Sequence, residues 1–457
     1  MELGAYNAPS LGALDTYMGA NFTKYTIVIP ADVGPGNYDE AGLKGLLDKW
    51  DLGIGQASDF QTFQDRGIDV QIQLHEDLLI AGYNVFTEVY PNINFNDYPS
   101  VKGFFIADEP TWAQIDIIDT VYRPWFNANY GNSDMEFYVN LFSSYSDSIG
   151  PIRDADGNIL TDANGDKFYS ASATPEQEEV CYNAYVQKWL TVFENIQSNT
   201  KYFTIDSYPL RDNQPGHLSL PNAALPEGYE RNIVDGWLSS TYRAASNAKA
   251  ESLPFGAYIQ AFDMGNSLAP TATYRLPTTL AEIKWQAYMY IAFGAKKLVY
   301  FGYDSQTNGT FIVDDGALYN LVKETNAELL KVDHVFAAFE TWVGVKTFLG
   351  TGSQSNAAFE KIAGVELDNL TGVSSVTASR DLVVGEMVDG NGNHGYMLVG
   401  YDDPFNGNQT EVSMTFDGAK GVIIYRNGQR SLSEDLVNGQ FTVTLEAGEG
   451  VFVIPVY

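Results

Sequence analysis

The sequence predicts an α/β chain: a (β/α)8 barrel over residues 1–345, then an antiparallel β-sandwich over residues 346–457. Three observations carry that expectation. Eight short segments, apolar on both faces and bounded by polar, Gly or Pro residues, recur over the first 305 residues, as buried parallel strands do. Amphipathic stretches with a 3.6-residue period lie between several of them, and eight such alternations fit a closed barrel with insertions better than an open sheet. Beyond about residue 345 the apolar period changes to two, with Asn-Gly turns between the runs.

The barrel strands are read as Leu3–Ala8, Tyr25–Ile29, Leu52–Gln56, Val101–Asp108, Met135–Phe142, Tyr202–Asp206, Phe255–Gln260 and Leu298–Tyr303. Ile68–Gln73 competes for the third place, and Asp59–Ser100 reads as a helical insertion. One helix opens on a capping box at Thr174 and Gln177, with Pro175 at its first position. Its stripe is Tyr182, Tyr185, Val186, Trp189, Phe193 and Ile196. A second opens at Thr279 with Glu282 three residues on, runs through Trp285, Ala287, Tyr288 and Ile291, and stops at Gly294. Trp189 and Trp285 therefore belong to the helix layer, and Cys181, mid-helix, to packing. Lys296 and Lys297 precede strand eight, which puts them at the bottom of the barrel.

The stretch from Arg153 to Lys167 resembles a calcium loop, but Ile159 and Gly165 stand where such a loop needs glycine and glutamate. It reads instead as a surface hairpin turning at Asp156-Gly157 and Asn164-Gly165. In the sandwich, Val412, Met414 and Phe416 alternate, as do Phe441, Val443 and Leu445, and Phe452, Ile454 and Val456. Asn427-Gly428 and Asn438-Gly439 supply the turns. No tryptophan follows Trp342, so a structural appendage is expected there rather than a sugar-binding module.

Composition narrows the function. Subtracting 58 acidic from 26 basic residues leaves a net charge of −32, which argues against a nucleic-acid or anionic-membrane partner. With 45% hydrophobic and 14% aromatic residues, the chain has the apolar surface to fold. A single cysteine excludes an internal disulfide and a zinc-type cysteine cluster. His75, His217, His334 and His394 show no metal-binding spacing, so no metal or other cofactor is expected, although carboxylates could hold calcium. No apolar run is long enough to span a membrane. Low charge, high Asn and Tyr content and one cysteine suit an exported bacterial protein, whether secreted, periplasmic or at the cell surface, with its signal absent from this chain. Glycosylation sequons at Asn21, Asn308, Asn369 and Asn408 are frequent by chance and decide nothing.

The sharpest chemical signal is GFFIADEP, Gly103 to Pro110, where an apolar strand runs straight into Asp108 and Glu109. Groups at the C-terminal ends of barrel strands line the site where such proteins do chemistry. The competing reading is a helix start, with Asp108 or Thr111 as the N-cap and Glu109 as a partner of the helix dipole. Two acids abutting an apolar strand are costly unless they work there or are well paired, which favours function.

A strand-four ending of this kind resembles the acid/base strand of clan-A retaining glycoside hydrolases, the group that includes family-42-type β-galactosidases. GAYNAP (Gly4 to Pro9), FYVNLF (Phe137 to Phe142), FTIDSYP (Phe203 to Pro209), AYIQAF (Ala257 to Phe262) and EIKWQAYMYIAFGAKKLVYFGY (Glu282 to Tyr303) are similar to segments of bacterial glycosidases of uncharacterised specificity. The resemblance covers most of the first 335 residues and implies that Glu109 donates a proton to the glycosidic oxygen. It also implies a nucleophilic glutamate ending strand seven, and there the chain departs: Ile259 and Gln260 occupy that place.

Asp206, ending strand six, is the better-placed second acid, or else a partner to a neighbouring Tyr or Arg. Asp263 and Asp304 are further candidates, Asp304 reading more readily as a turn residue. Three mechanisms follow. With Asp206 as second carboxylate, a spacing of about 5–5.5 Å from Glu109 implies retention and about 6.5–9.5 Å inversion. In the third, a 2-acetamido group of the substrate attacks, oriented by Asp108, with Glu109 as acid/base; the Asp-Glu pair resembles that of β-hexosaminidases and needs no strand-seven nucleophile.

Tyr6, Asn140, Tyr208, Gln260 and Tyr303 fall at predicted strand ends, where they could bind sugar hydroxyls, and Trp112, Tyr145 and Tyr303 could stack on a pyranose ring. The expected function is a glycoside hydrolase acting on a carbohydrate. A non-catalytic carbohydrate-binding protein on the same scaffold is the competing class. A phosphate-handling barrel is disfavoured, since no Gly-rich loop follows strand seven or eight and no lone lysine is poised for a Schiff base.

Overall fold

The structure is a computed structural model. It describes residues 1–6, 13–29, 57–74, 79, 84, 86–87, 94–143, 151, 158–159, 161, 175–210, 229–263, 274, 276–303, 309–351, 367–402, 404–434 and 436–457. Strands β1 (Glu2–Ala5), β2 (Lys24–Ile29), β3 (Asp69–Leu74), β4 (Val101–Asp108), β5 (Glu136–Leu141), β6 (Phe203–Ile205), β7 (Phe255–Gln260) and β8 (Ala295–Phe301) form a closed barrel in chain order. The helices are α1 (Leu14–Gly19), α2 (Ala57–Arg66), α3 (Trp112–Ile117), α4 (Arg123–Tyr130), α5 (Pro175–Glu194), α6 (Tyr229–Ala250), α7 (Leu280–Ala292) and α8 (Gly316–Ala338). The chain divides into two compact units, Gly4–Asp206 and Ser207–Tyr457 with Met1–Leu3.

The third strand corrects the expected order. Leu52–Gln56 lies outside the described residues, and the third place belongs to β3, parallel to β2 on one side and β4 on the other. Residues 59–100 are therefore not a helical insertion; they carry α2 and a barrel strand. The reason is the composition of β3, DVQIQL, whose buried glutamines interrupt the apolar run that marks a two-faced buried strand.

In the first unit, pleat alternation sorts the side chains. Tyr25, Phe104 and Phe137 turn outward to the helices, with ring centroids 4.9 Å from Phe63, 6.3 Å from Phe126 and 5.2 Å from Phe126 respectively. Their neighbours Lys24, Gly103 and Glu136 therefore face inward. There Lys24 Nζ donates to Glu136 Oε2 at 2.7 Å and Gln71 Nε2 to the same oxygen at 3.0 Å. Gly103 is required at this level, because a Cβ would lie 2.3 Å from the Glu136 carbonyl oxygen. The next inward level is aromatic, with Phe105 and Tyr138 at 4.5 Å and Tyr6 at 6.3 Å from Phe105. The stripe of α5 is buried as its spacing predicts, from Tyr182 through Trp189 to Phe193, with Ile196 buried just beyond the helix.

In the second unit, α7 opens on the predicted capping box, Thr279 with Glu282, and Trp285 is buried on it against Trp237. β8 starts at Ala295, so Lys296 and Lys297 lie within the strand rather than before it. Lys296 Nζ caps the end of α8, donating to the carbonyls of Phe336 and Phe339 at 2.7 Å each, and burial lowers its pKa to about 8. The unfolded chain keeps that proton to about pH 10.4, so between pH 8 and 10.4 the unfolded state binds more protons and stability rises with pH. Denaturant unfolding at pH 7.5 and 10.5 is expected to show wild type gaining up to about 3 kcal/mol over Lys296→Met. An equal pH response of the two chains counts against the burial of a charged Lys296.

A three-stranded sheet, β10 (Val373–Ala378), β13 (Thr410–Phe416) and β16 (Gln440–Leu445), faces a six-stranded one. The latter is ordered β15 (Gln429–Glu434), β14 (Gly421–Arg426), β17 (Gly450–Val456), β12 (His394–Gly400), β11 (Leu382–Val388) and β9 (Thr341–Phe348). Residue 345 thus falls inside the first strand of this sheet. Val412, Met414, Phe416, Phe441 and Leu445 fill one side of the shared core, and Leu382, Val384, Tyr396 and Leu398 the other. On β17 the core set is Val451 and Val453, whereas Phe452 packs on Phe336 and Phe339. Asn427 and Gly428 both take positive φ, as do Asn438 and Gly439, the conformation a two-residue hairpin turn demands.

Candidate active site

The acids of the DEP motif sit where an irregularity in β4 puts them. Phe105 pairs with Tyr138, but Ala107 pairs with Val139 and Asp108 with Asn140, so one extra residue is absorbed between Phe105 and Ala107. The slip turns Asp108 to the inward face that Asn140 shares with Tyr138. Asn140 Nδ2 donates to Asp108 Oδ1 at 2.9 Å. Glu109 follows with φ +48°, a left-handed conformation unusual outside glycine, and its N–H donates to the Asn140 carbonyl at 2.9 Å. The residue before a proline avoids helical φ/ψ as a rule, so Glu109 is held against preference by its surroundings.

The helix-start reading holds for Thr111 and not for Asp108 as the N-cap. Thr111 caps α3, its hydroxyl accepting from Gln114 N while Gln114 Oε1 accepts from Thr111 N. The capping role at α3 thus belongs to Thr111 and Gln114.

Tyr185 of α5 belongs to this neighbourhood, although the sequence places it simply in a helix stripe. Its phenol is buried and donates to the Pro110 carbonyl at 2.8 Å, bracing the turn that holds Glu109. Burial pushes the Tyr185 pKa well above its ordinary value; a backbone hydrogen bond from Phe142 opposes this, while Tyr182, Glu109 and Asp206 add to it. Asp206 is half-buried, two residues beyond Thr204, which pairs with Asn140 in register. Nothing in the sequence separates Tyr185 from a packing tyrosine; only the inward direction of α5 at that point does.

Tyr6 is half-buried with its ring edge-on to Phe105. Trp112 opens α3 with the Lys188 ammonium 5.3 Å from its ring centroid, so one face of the indole already carries a cation. Tyr145 and Asp304 lie outside the described residues, as do Cys181's side chain and most of the segment from Arg153 to Lys167.

The second unit holds the remaining candidates. Gln260 ends β7 fully buried, and its amide is committed: Nε2 donates to the Leu210 carbonyl and Oε1 accepts from Leu210 N, both at 2.9 Å. Gln286 of α7 does the same for the Gln260 backbone, at 2.8 and 3.2 Å. Gln260 is thus a clamp on the chain after β6, not an amide held out to a sugar. Tyr303 is 0% exposed and offers no stacking face, and Tyr208 is packed among Phe262, Tyr274 and Phe301. Asp263 is fixed through its backbone, which exchanges two hydrogen bonds with Thr310.

The clamp explains the missing strand-seven glutamate in physical terms. A glutamate at 260 has no N–H for the Leu210 carbonyl and sets a carboxylate oxygen against it. Gln260→Glu is expected to destabilise the fold by about 1–3 kcal/mol at pH 7 without raising any hydrolytic activity. Urea unfolding checks this, and an unchanged midpoint speaks against the clamp.

No protein-family model and no curated protein matches the chain. Solved structures do. A family 30 endoxylanase from Clostridium papyrosolvens C71 aligns at 11% identity and TM-score 0.43, over 100% of this chain and 95% of that one. The family 44 endoglucanase Cel44A from Clostridium thermocellum aligns at 10% identity and TM-score 0.38, over 99% and 95%. A family 99 endo-α-mannosidase from Bacteroides thetaiotaomicron aligns at 11% and 0.37, over 71% and 84%. These likenesses are remote. Among the described residues no group of three or more His, Cys, Asp or Glu side chains is placed to hold a metal ion, and no helix is long and apolar enough to cross a membrane.

Proposed function

We propose that the protein is a glycoside hydrolase that cleaves an O-glycosidic bond by carboxylate acid/base catalysis, with Glu109 as general acid. The observation that carries this is a register: Asp108, directly before Glu109, pairs with Asn140 of β5, which pairs in turn with Thr204, two residues before Asp206, so that both acids end adjacent rungs of the barrel. Glu109 protonates the leaving oxygen as the bond breaks. Asp206 either attacks the anomeric carbon or draws the proton from the attacking water, according to the spacing of the two carboxyl groups. Asp108 and Asn140 stand beside the acid and order the site. The substrate is a carbohydrate, no cofactor enters the reaction, and the protein acts outside the cytoplasm.

A substrate-assisted reaction is the second reading. It is favoured by residue 260 being a glutamine clamped to Leu210 rather than a carboxylate, since a reaction assisted by the substrate asks for no nucleophile there. Aryl glycosides that include 2-acetamido sugars, followed by proton NMR of the first-formed anomer, separate the readings. A retained anomer with acetamido sugars only points to assistance by the substrate. Retention or inversion with ordinary sugars, lost in Asp206→Asn, points to the carboxylate pair. Tight sugar binding with no turnover at any pH, unaffected by Glu109→Gln, makes the protein a carbohydrate-binding scaffold instead.

A further inference from the structure

Asn140 carries an acceptor that the fold leaves open. It is 0% exposed on β5, in register with Asp108 of β4 on one side and Thr204 of β6 on the other. Its Nδ2 donates to Asp108 Oδ1 at 2.9 Å, and that contact fixes the amide, since the flipped form would set its carbonyl oxygen against a carboxylate. Asn140 Oδ1 is therefore aimed away from Asp108, and this buried atom has no hydrogen-bond partner. Thr204 does not serve it, because its hydroxyl donates to the Val139 carbonyl at 3.2 Å. An unpaired buried amide oxygen is costly, and its presence beside the DEP motif calls for an occupant.

We infer that Asn140 Oδ1 is the atom that selects the substrate, accepting a hydrogen bond from a hydroxyl or acetamido N–H of the bound sugar. Asp108 is the positioning residue that aims it. This rests on the glycosidase reading and deepens it. The ligand must bring a donor to this point; a carboxylate, an ether oxygen or a fluorine there is refused, because two acceptors would then face each other. Asp108 acts on the substrate through Asn140, which differs from its direct contact with an acetamido nitrogen. The backbone carbonyl of Asn140 also accepts from Glu109 N–H, so the selecting amide and the acid share one residue as support.

The test uses the full chain carrying Glu109→Gln, so that bound ligands persist. Calorimetric titration with 4-nitrophenyl glycosides, 2-acetamido sugars among them, is compared with their monodeoxy and monofluoro counterparts. One ring position is expected at which loss of the donor weakens binding about ten- to a hundredfold. In Asn140→Ala and in Asp108→Leu the same change is expected to cost less than about threefold, a coupling that a merely structural role would not produce. A crystal structure of wild type gives a second measurement independent of any variant's folding: a water or sugar donor at Asn140 Oδ1 is expected, and a protein donor there overturns the inference. Parent glycosides that bind without a position-specific penalty, or with one that persists in Asn140→Ala, overturn the inference alone. Parent glycosides neither bound by Glu109→Gln nor hydrolysed by wild type overturn the glycosidase reading and the inference with it.

Discussion

On the proposed glycosidase reading, Glu109→Gln is expected to lower the turnover of aryl glycosides at least about a hundredfold, the lower end of what a positioned general acid supplies. The amide keeps the size and backbone of the glutamate, and the N–H bond to the Asn140 carbonyl is untouched. What is lost is the proton. The loss should grow with the basicity of the leaving group: small for a dinitrophenolate that departs unaided, largest for a methyl glycoside whose oxygen must be protonated. The alkaline limb of the wild-type pH profile should vanish in the same variant. A uniform loss across leaving groups would point to a binding role, and no loss would remove Glu109 from the mechanism. The backbone provides an independent check. Because φ is +48° at this residue, Glu109→Gly should raise stability by about 1 kcal/mol while abolishing turnover. A residue kept in a conformation that glycine would adopt more easily is kept for its side chain.

How much of this is legible in the sequence depends on which interaction decides each element. β4 and β7 have the bounds expected for them, because apolar runs ended by Asp or Gln leave little freedom. The capping box of α7 is likewise local chemistry, readable from Thr279 and Glu282 alone. β3 is masked because Gln71 serves a buried glutamate one strand away from its neighbour, so its polarity is tertiary in origin. The pairing of Asp108 with Asn140 turns on a register slip within FFIA, and an apolar run reads the same in either register. Gln260 is the sharpest case. Its type and place agree with a sugar-binding amide, and only the backbone of Leu210 lying against it shows that both its polar atoms are occupied. Tyr185 escapes for the opposite reason: it looks like packing and is packing, but its hydroxyl ends at Pro110 beside the acid.

Lys24→Met should destabilise the protein by about 3–5 kcal/mol, the largest effect expected of any substitution away from the acids. Glu136 is 0% exposed, and its Oε2 accepts from both Lys24 and Gln71. Removing the ammonium takes a 2.7 Å charged donor from a carboxylate that is 0% exposed, and no water replaces it without opening the layer. Gly103 shows how little room there is, since even a methyl group there would collide with the Glu136 backbone. The cost belongs to the orphaned charge rather than to the worth of the pair. The double variant Lys24→Met with Glu136→Leu should therefore recover most of the stability, two apolar groups replacing two desolvated ions. Urea unfolding of the two single variants and the double variant, with equal m values as the condition for comparison, measures this directly. The pair also lies beneath Phe105 and Tyr138, the rings over which Asp108 and Asn140 are set along the same two strands. If the polar layer serves only stability, the double variant should hydrolyse glycosides as wild type does. If it also fixes the height of Asn140, the double variant should fold normally yet lose the discrimination between hydroxyl and deoxy sugars. A cost below about 1 kcal/mol for Lys24→Met would mean that Glu136 finds other donors in place of the lysine, and that the layer is far less dependent on this pair than its burial implies.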